Sequence, residues 1–539
     1  MDRKKSPQVL IVGAGPAGLS SAIELGHRGV SCLLVERNDR VGYAPRAKTT
    51  NVRTREHLRR WGIADRLRAA SPLGADYPSN VVFCTRLSGI ELARHENAMY
   101  CAPGRNPLYS EHAQWIPQYT VESVLKEHAE SLPGVEIRFR TELLGFEQDG
   151  GQVRVRLRNL ENGQEAELLA DYLIGADGAR SLVRDLIGTS MEGQYGLSHN
   201  YNIVFRAPGL AQSHGHGPAI MYWQINREAS SLIGPMDRGD AWFFMPMHVD
   251  PDQRASDIDA RALIAQSTGI DLPYEILSSD QWVASKLLGN RYRKDRVFLV
   301  GDACHLHPPF GGYGMNMGVA DSVDLGWKLA ATLQGWGGPE LLDSYETERR
   351  PVHQWVLDEA VANHSSLGSG SLVNDVEAAG AAGEQARREI GARIQAVKMR
   401  EFATLGVVLG YRYDDSPVIV PDGSPAPASD FINYVPSSRP GALAPHAWLH
   451  DGSSLYDSFG PGFTLLASAS APAGEVEAAI ADARACGLPL TVIRPREGGV
   501  ASLYPTRLTL IRPDQHVAWR GDAWPGPSLI RQVTGGLAR

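Results

Sequence analysis

Cysteine is scarce in this sequence. Cys32, Cys84, Cys101, Cys304 and Cys486 are scattered over 539 residues, odd in number and without a CxxC pair. That argues against a disulfide framework or a zinc site and for a reducing cytoplasm. Long apolar runs are missing too. No stretch reaches the roughly 18 apolar residues of a membrane helix, and the first apolar run, Val9–Val12, is a short strand behind the charged start MDRKK rather than a signal peptide. There is no long basic run and the net charge is -8. Nucleic acid and anionic membrane are therefore poor candidates for the main partner. His214 and His216 in SHGHG have no convergent carboxylate nearby and read as a mobile loop, so no metal is expected.

What is present begins with length. The chain is long enough for two or three domains, and its composition, 43% hydrophobic and 21% charged, is that of an ordinary soluble protein. The strand Val9–Val12 runs into Gly13-Ala14-Gly15-Pro16-Ala17-Gly18, a helix continues to about Arg28, and a second strand from Ser31 to Val35 ends at Glu36. Gly13 permits the tight turn, Gly15 lets the backbone approach a pyrophosphate, and Gly18 lets helix and strand pack closely. Glu36 is placed for ribose hydroxyls. The pattern predicts a dinucleotide site without separating FAD from NAD.

Two later segments repeat the theme of an apolar strand delivering a carboxylate into a glycine turn. Asp171 to Arg184, DYLIGADGARSLVR, delivers Asp177, with Ser181 placed to cap the next turn. Val297 to Ala330 delivers Asp302 into a Pro/Gly-rich loop and then a helix from about Asn316, whose N-terminus suits an anion or an electron-rich ring edge. Between the fingerprint and these segments lies PRAKTTNVRT, residues 45–54, and a basic helix from Arg55 to Trp61. Arg46 and Lys48 there could meet phosphate or a polar ring edge, or form a solvated basic face.

The order GAGPAG, GADGARSLVR, GDACHLHPPFGGYGMNMG resembles the FAD-dependent aromatic hydroxylases, the single-component flavoprotein monooxygenases of the para-hydroxybenzoate hydroxylase fold, over roughly residues 7 to 355. The resemblance implies an α/β fold in which a Rossmann-type FAD-binding domain (1–190 and 286–365) is interleaved with a β-sheet substrate domain (191–285). It implies FAD at the first fingerprint, with Gly13, Gly15 and Gly18 around the pyrophosphate and Glu36 on the adenosine ribose. Arg46 and Gln118 match flavin-contacting positions, and Pro16, Ala17, Arg37 and Leu143 complete the set carried over for FAD. Asp177 is linked to both FAD and NAD(P)H, Asp302 to the ribityl chain and Pro309 to the ring face. Gly314, Met315 and Asn316 would offer backbone groups to the isoalloxazine edge. Three positions depart from the family's habit: Cys304 where Ala is frequent, Asp324 where Asn is frequent, and Lys48 where relatives carry a neutral or acidic residue.

The strand-rich middle, Gln194 to Lys286, would lie over the flavin, with Met221, Tyr222, Trp223, Phe243 and Phe244 as candidate walls. Residues 366–425 read as a helix and linker. Residues 426–539, with RPG, PHAWL and RPDQHVAWRG, resemble the thioredoxin-like C-terminal domain of the phenol hydroxylase subgroup. Only Cys486 lies there, so a structural or homodimer-supporting role is expected rather than redox chemistry.

The implied activity is hydroxylation of a small phenolic or related aromatic substrate with NAD(P)H and O2 through a flavin C4a-hydroperoxide. Lys48, Tyr222 and Pro309 are the candidate catalytic residues, with Arg46 a further candidate cation. Lys48 could instead recognise a carboxylate or another anionic substituent. The alternatives are another oxygenase on the same fold, performing epoxidation, oxidative decarboxylation or Baeyer–Villiger-type chemistry, and a flavin-binding scaffold without turnover.

Overall fold

The computed structural model describes residues 6–39, 47–247, 249–250, 252, 257–365 and 376–536. Arg46 and the stretch 366–375 lie outside these. A six-stranded sheet runs in the order Arg293–Lys294, Val297–Leu299, Tyr172–Gly175, Val9–Val12, Cys32–Val35, Val135–Arg138. Its central strands VLIV, CLLV and YLIG pair in parallel and are buried at every position. Such uninterrupted apolar runs are what a sheet covered on both faces requires. Helices Pro16–His27 and Gly314–Leu333 pack together on it, tied by the Ser322 hydroxyl donating to the Ala17 carbonyl at 2.7 Å. A three-stranded antiparallel sheet, Thr141–Gln148, Val153–Asn159 and Glu165–Ala170, flanks this layer.

The second layer is an eight-stranded sheet ordered His305–Leu306, Glu275–Gly289, Met191–Arg206, Ala241–Pro246, Ser231–Pro235, Met221–Gln224, Val81–Cys84, Glu91–His95. Two of its strands, Val81–Cys84 and Glu91–His95, thus come from well ahead of the strand-rich middle. Strand alternation sorts its side chains. Met221, Trp223, Phe243 and Phe83 join the core shared with helix Gly380–Phe402. Tyr222, Trp242, Phe244 and Phe205 face the opposite way, onto helix Ala260–Thr268.

A four-stranded sheet, Leu490–Ile493, Phe463–Ala467, Leu508–Ile511, Val517–Gly521, carries helices Ala473–Ala485 and Pro527–Val533. Phe463 sets its ring against Trp327 and Trp336 at 6.1 and 6.4 Å. A buried ionic network also joins this sheet to the first layer. Arg512 reaches Glu348 at 2.6 Å, Asp324 at 3.0 Å and Asp514 at 2.6 Å, while Lys328 holds Asp324 at 2.8 Å and Glu348 at 2.6 Å. Asp324 therefore meets two buried cations, which gives a physical reason for an acid at that position.

Helix Val52–Arg60 is the basic helix read from Arg55 to Trp61. It is not a solvated basic face: Arg53 and Arg55 are buried, Arg53 donating to Gln515 Oε1 and the Asp514 carbonyl at 2.6 Å each, and Arg55 pairing with Glu111 at 3.0 Å.

Candidate active site

Two helix N-termini and one strand end converge. Gly13 has φ of 108°, closed to ordinary side chains, and a Cβ on Gly18 would lie 1.9 Å from the Gly13 carbonyl oxygen. Turn and helix can touch only through glycine. A Cβ on Gly15 would meet nothing within 4 Å, so that face of the turn is open. The first intrahelical bond runs from Leu19 N–H to the Gly15 carbonyl. Ala17 and Gly18 therefore precede it with free-facing N–H groups, Pro16 having none. Nearby, a Cβ on Gly318 would sit 3.2 Å from Gly301 Cα and 3.3 Å from Ala17 Cβ, which brings helix Gly314–Leu333 and the exposed Asp302 beside the first turn. The first bond of that helix is Met317 N–H to the Tyr313 carbonyl, so Gly314, Met315 and Asn316 precede it.

Glu36 ends its strand accepting from the N–H groups of Ala14 and Asn38, both at 2.9 Å, which fixes its carboxylate at the mouth of the turn; Arg37 is exposed beyond it. An open glycine cradle at a helix dipole, with a fixed carboxylate on the next strand and a second helix N-terminus opposite, fits a dinucleotide carrying an anionic ring system. The Asn316 side chain is a clamp: it accepts from Asn51 N–H at 2.9 Å and donates to the carbonyls of Thr49 and Gly312 at 2.9 and 2.7 Å. It thereby locks the segment around Lys48 to the front of the helix. Gln118 accepts from Ala47 N–H at 3.2 Å on the same segment. Asp177 accepts from the Ser181 hydroxyl and from Val183 N–H at 3.1 Å, and burial raises its pKa. Its carboxylate thus caps the helix that Ser181 also caps. Leu143 packs into the core beneath the first sheet, and Pro309 is exposed on the loop.

Lys48 is the outstanding group. Its segment pairs with the next stretch, Thr49 opposite Trp115, which leaves Lys48 buried with Nζ 4.1 Å from the centre of the Phe243 ring. Among the described residues no carboxylate pairs with it, and burial pushes its pKa down to about 8. Trp115 lies 6.4 Å from the same ring. Gly234 makes room for that ring, since a Cβ there would lie 2.7 Å from it. Across the sheet face, Lys398 stands 4.6 Å from the Trp223 ring and 5.4 Å from Phe310, but it is paired with Glu401 at 2.6 Å. Met99 closes another side, accepting the Thr49 hydroxyl at 3.1 Å from a stretch in which Asn97, Met99 and Tyr100 all have positive φ.

Tyr222 is corrected. Its side chain is on the far face of the sheet, 6.3 Å from Trp242 and 5.0 Å from His214, and its hydroxyl donates to the Gly217 carbonyl at 2.6 Å. It has no access to the face that carries Phe243. Period-two alternation was the signal that could have shown this, because Tyr222 and Trp223 cannot both face one cavity. Met99, Trp115 and the Asn51–Asn316 clamp were missed for a different reason: their roles depend on pairings across 50 to 265 residues.

Similarity to known proteins gives the family. The FAD binding domain family matches residues 6–360 and the aromatic-ring hydroxylase C-terminal family matches residues 437–536. A putative polyketide hydroxylase of Streptomyces halstedii is 32% identical, covering 95% of this chain and 93% of its own. The 2,4-dichlorophenol 6-monooxygenase of Delftia acidovorans is 33% identical, covering 96% and 95%. The solved structure of the rebeccamycin biosynthetic enzyme RebC with reduced flavin superposes with a TM-score of 0.90 at 33% identity, covering 98% of this chain and 99% of that one. The chain belongs to the FAD-dependent aromatic-ring hydroxylases. It is a flavoprotein monooxygenase whose cofactor is FAD. No helix among the described residues is long and apolar enough to cross a membrane.

Proposed function

We propose that this enzyme hydroxylates a phenolic ring with NAD(P)H and O2, in the space between Lys48, Trp115, Phe243 and the loop around Pro309, and that Lys48 activates the ring. The observation that carries this is a buried ammonium 4.1 Å over Phe243 with no carboxylate partner among the described residues. A cation left uncompensated in an apolar wall is relieved by an anionic ligand. At about 4 Å and an effective dielectric near 20, the attraction to a phenolate is about 4 kcal/mol, which lowers a phenol's pKa by about 3 units, from about 10 towards 7. The phenolate is the more electron-rich form of the ring. Phe243, Trp115, Met99 and Trp223 exclude water from it.

Bound FAD supplies electron transfer from NAD(P)H and activation of dioxygen. Gly13, Gly15, Pro16, Ala17, Gly18, Glu36 and Asp302 would hold it, together with the N–H groups of Gly314, Met315 and Asn316. Gln118 and the Asn316 side chain act one step back, holding the Lys48 segment in place. The division into 1–190 with 286–365, 191–285, 366–425 and 426–539 is retained in this reading, except that strands Val81–Cys84 and Glu91–His95 are assigned to the substrate sheet. A cytoplasmic setting and a homodimer supported by the C-terminal domain complete it; the scattered cysteines support the first.

The test is NAD(P)H oxidation by the FAD-loaded protein against matched phenols and their methyl ethers, from single rings to polycyclic compounds, with hydroxylated product quantified. Phenols should stimulate oxidation and be hydroxylated while the ethers, which cannot ionise, do neither. Equal turnover of both would refute the role of Lys48.

A further inference from the structure

Beneath the loop that carries Pro309 lies a closed set of buried groups that the reaction as described does not use. Asp321, on helix Gly314–Leu333, is fully buried. Its Oδ2 accepts from Gly301 N–H at 3.0 Å and contacts His305 Nε2 at 2.9 Å. Its Oδ1 takes Arg349 Nε at 2.8 Å and His353 Nε2 at 2.9 Å. His353 Nδ1 meets the Tyr292 hydroxyl at 2.6 Å, and His305 Nδ1 meets His307 Nδ1 at 3.1 Å. The chain ends there, because His307 Nε2 is buried and has no hydrogen-bond partner among the described residues. Cys304, His305 and Asp321 approach closely enough for a metal ion, but Arg349, His353 and Gly301 already occupy the carboxylate.

The tautomers follow from the donor count. Ionised Asp321 can only accept, so His305 carries its proton on Nε2. In a neutral His305, Nδ1 is then an acceptor, and His307 must donate from its own Nδ1. His307 Nε2 is left as a bare lone pair. The loop position is telling: a Cβ on Gly314 would lie 3.9 Å from His307 Cβ, so the residue stands against the helix end assigned to the flavin edge.

We propose that His307 is the proton-transfer residue of this loop, exchanging one proton at Nε2 with a ligand bound at the front of helix Gly314–Leu333, with His305 and Asp321 as the relay behind it. The proton balance is simple. Nε2 gains a proton, the Nδ1 proton passes to His305 Nδ1, and the resulting imidazolium is held by Asp321; reversal returns the proton to the ligand. No electron moves. The groups facing His307 are His305, His353, Asp321 and Arg349, and burial with the neighbouring histidines keeps its pKa well below the usual imidazole range. It therefore rests as the neutral acceptor. This inference rests on the reading that the flavin ring sits at this loop.

The experiment is 15N-histidine NMR of the full chain, first without and then with FAD, using His307→Gln and His307→Asn to identify the signal. Before FAD, His307 should be neutral at pH 7 with its proton on Nδ1. Adding FAD should shift Nε2, and His307→Gln should lower kcat roughly a hundredfold with KM little changed. A proton on Nε2 in the free protein, or an Nε2 signal unmoved when FAD is visibly retained, would overturn the relay and leave the flavin site standing. Loss of FAD on gel filtration of the unmodified protein would instead overturn the flavin site, and this proposal with it.

Discussion

Replacing Lys48 by methionine should make the protein more stable and the enzyme much worse. Lys48 titrates at about 8 in the fold instead of 10.5. At about 1.36 kcal/mol per pKa unit, holding the ammonium charged costs the folded state about 3 kcal/mol at pH 7. Its attraction to the Phe243 face offsets about 0.5–2 kcal/mol of that. Lys48→Met keeps the packing length and removes the charge, so it should gain roughly 1–2 kcal/mol. The sign with pH is fixed by linkage. Between the folded and unfolded pKa values the unfolded chain binds the extra proton, so the unmodified protein grows more stable from pH 8 upward, and the burial penalty falls to about half at pH 9.5. Urea unfolding of both proteins at pH 7 and 9.5 measures this. Turnover of phenols should fall roughly a hundredfold in kcat/KM, with FAD retained. A Lys48→Met protein that is less stable at pH 7, or whose advantage does not shrink at high pH, would refute the reasoning, because Lys48 would then have a partner in the folded state.

Four further outcomes follow from the same structure. Arg512→Met strips one of two buried cations from Asp324, Glu348 and Asp514 and should cost about 3–5 kcal/mol in urea unfolding; a loss under about 1 kcal/mol would show that the C-terminal sheet is not held by this network. Burial would raise Glu348, but Arg512 and Lys328 prevail and hold it at about 2, so its contribution is complete above about pH 4.5 and is lost as pH falls towards 2, which acid unfolding monitored by circular dichroism will show. Gly15→Val, placed where nothing lies within 4 Å, should fold normally but lose FAD in fluorescence titration, whereas Gly18→Ala, directed 1.9 Å from the Gly13 carbonyl, should destabilise the protein itself. Tyr222→Phe, which loses the hydroxyl's bond to the Gly217 carbonyl, should cost about 1 kcal/mol of stability and leave kcat unchanged; a large fall in kcat would return Tyr222 to the active site.

The parts of the fold that were legible share one property, that local pattern and final environment agree. VLIV followed by GAGPAG can be little other than a buried parallel strand entering a glycine turn, and the same holds for YLIGAD and VFLVGD. The C-terminal strands at Phe463–Ala467 and Leu508–Ile511 were legible for the same reason. The burial of helix Val52–Arg60 was not. VRTREHLRR has the composition of a surface, and it is inside only because Glu56, Glu111 and the Asp514–Gln515 turn supply partners from 3 to 462 residues away. Long-range ion pairing leaves no local trace. Strand Glu275–Gly289 and the front of Met191–Arg206 were hidden because half-exposed ribbons alternate weakly. At the site, the glycines and acids at strand ends announced themselves, while Trp115, Met99 and the Asn316 clamp were assembled by tertiary pairing. Lys48 stood out in the sequence only as an oddity; its burial, with no carboxylate partner among the described residues, is what supports the proposed role.

The central claim is that a ring bound beside Lys48 receives an oxygen atom from O2. The most direct test is turnover of a stimulating phenol by the FAD-loaded enzyme under 18O2, with product mass, NAD(P)H consumed and hydrogen peroxide measured together. The account predicts one 18O atom in each hydroxylated product, matched to the NAD(P)H consumed and with little peroxide. Peroxide without labelled product, or a product oxygen drawn from water, would contradict it.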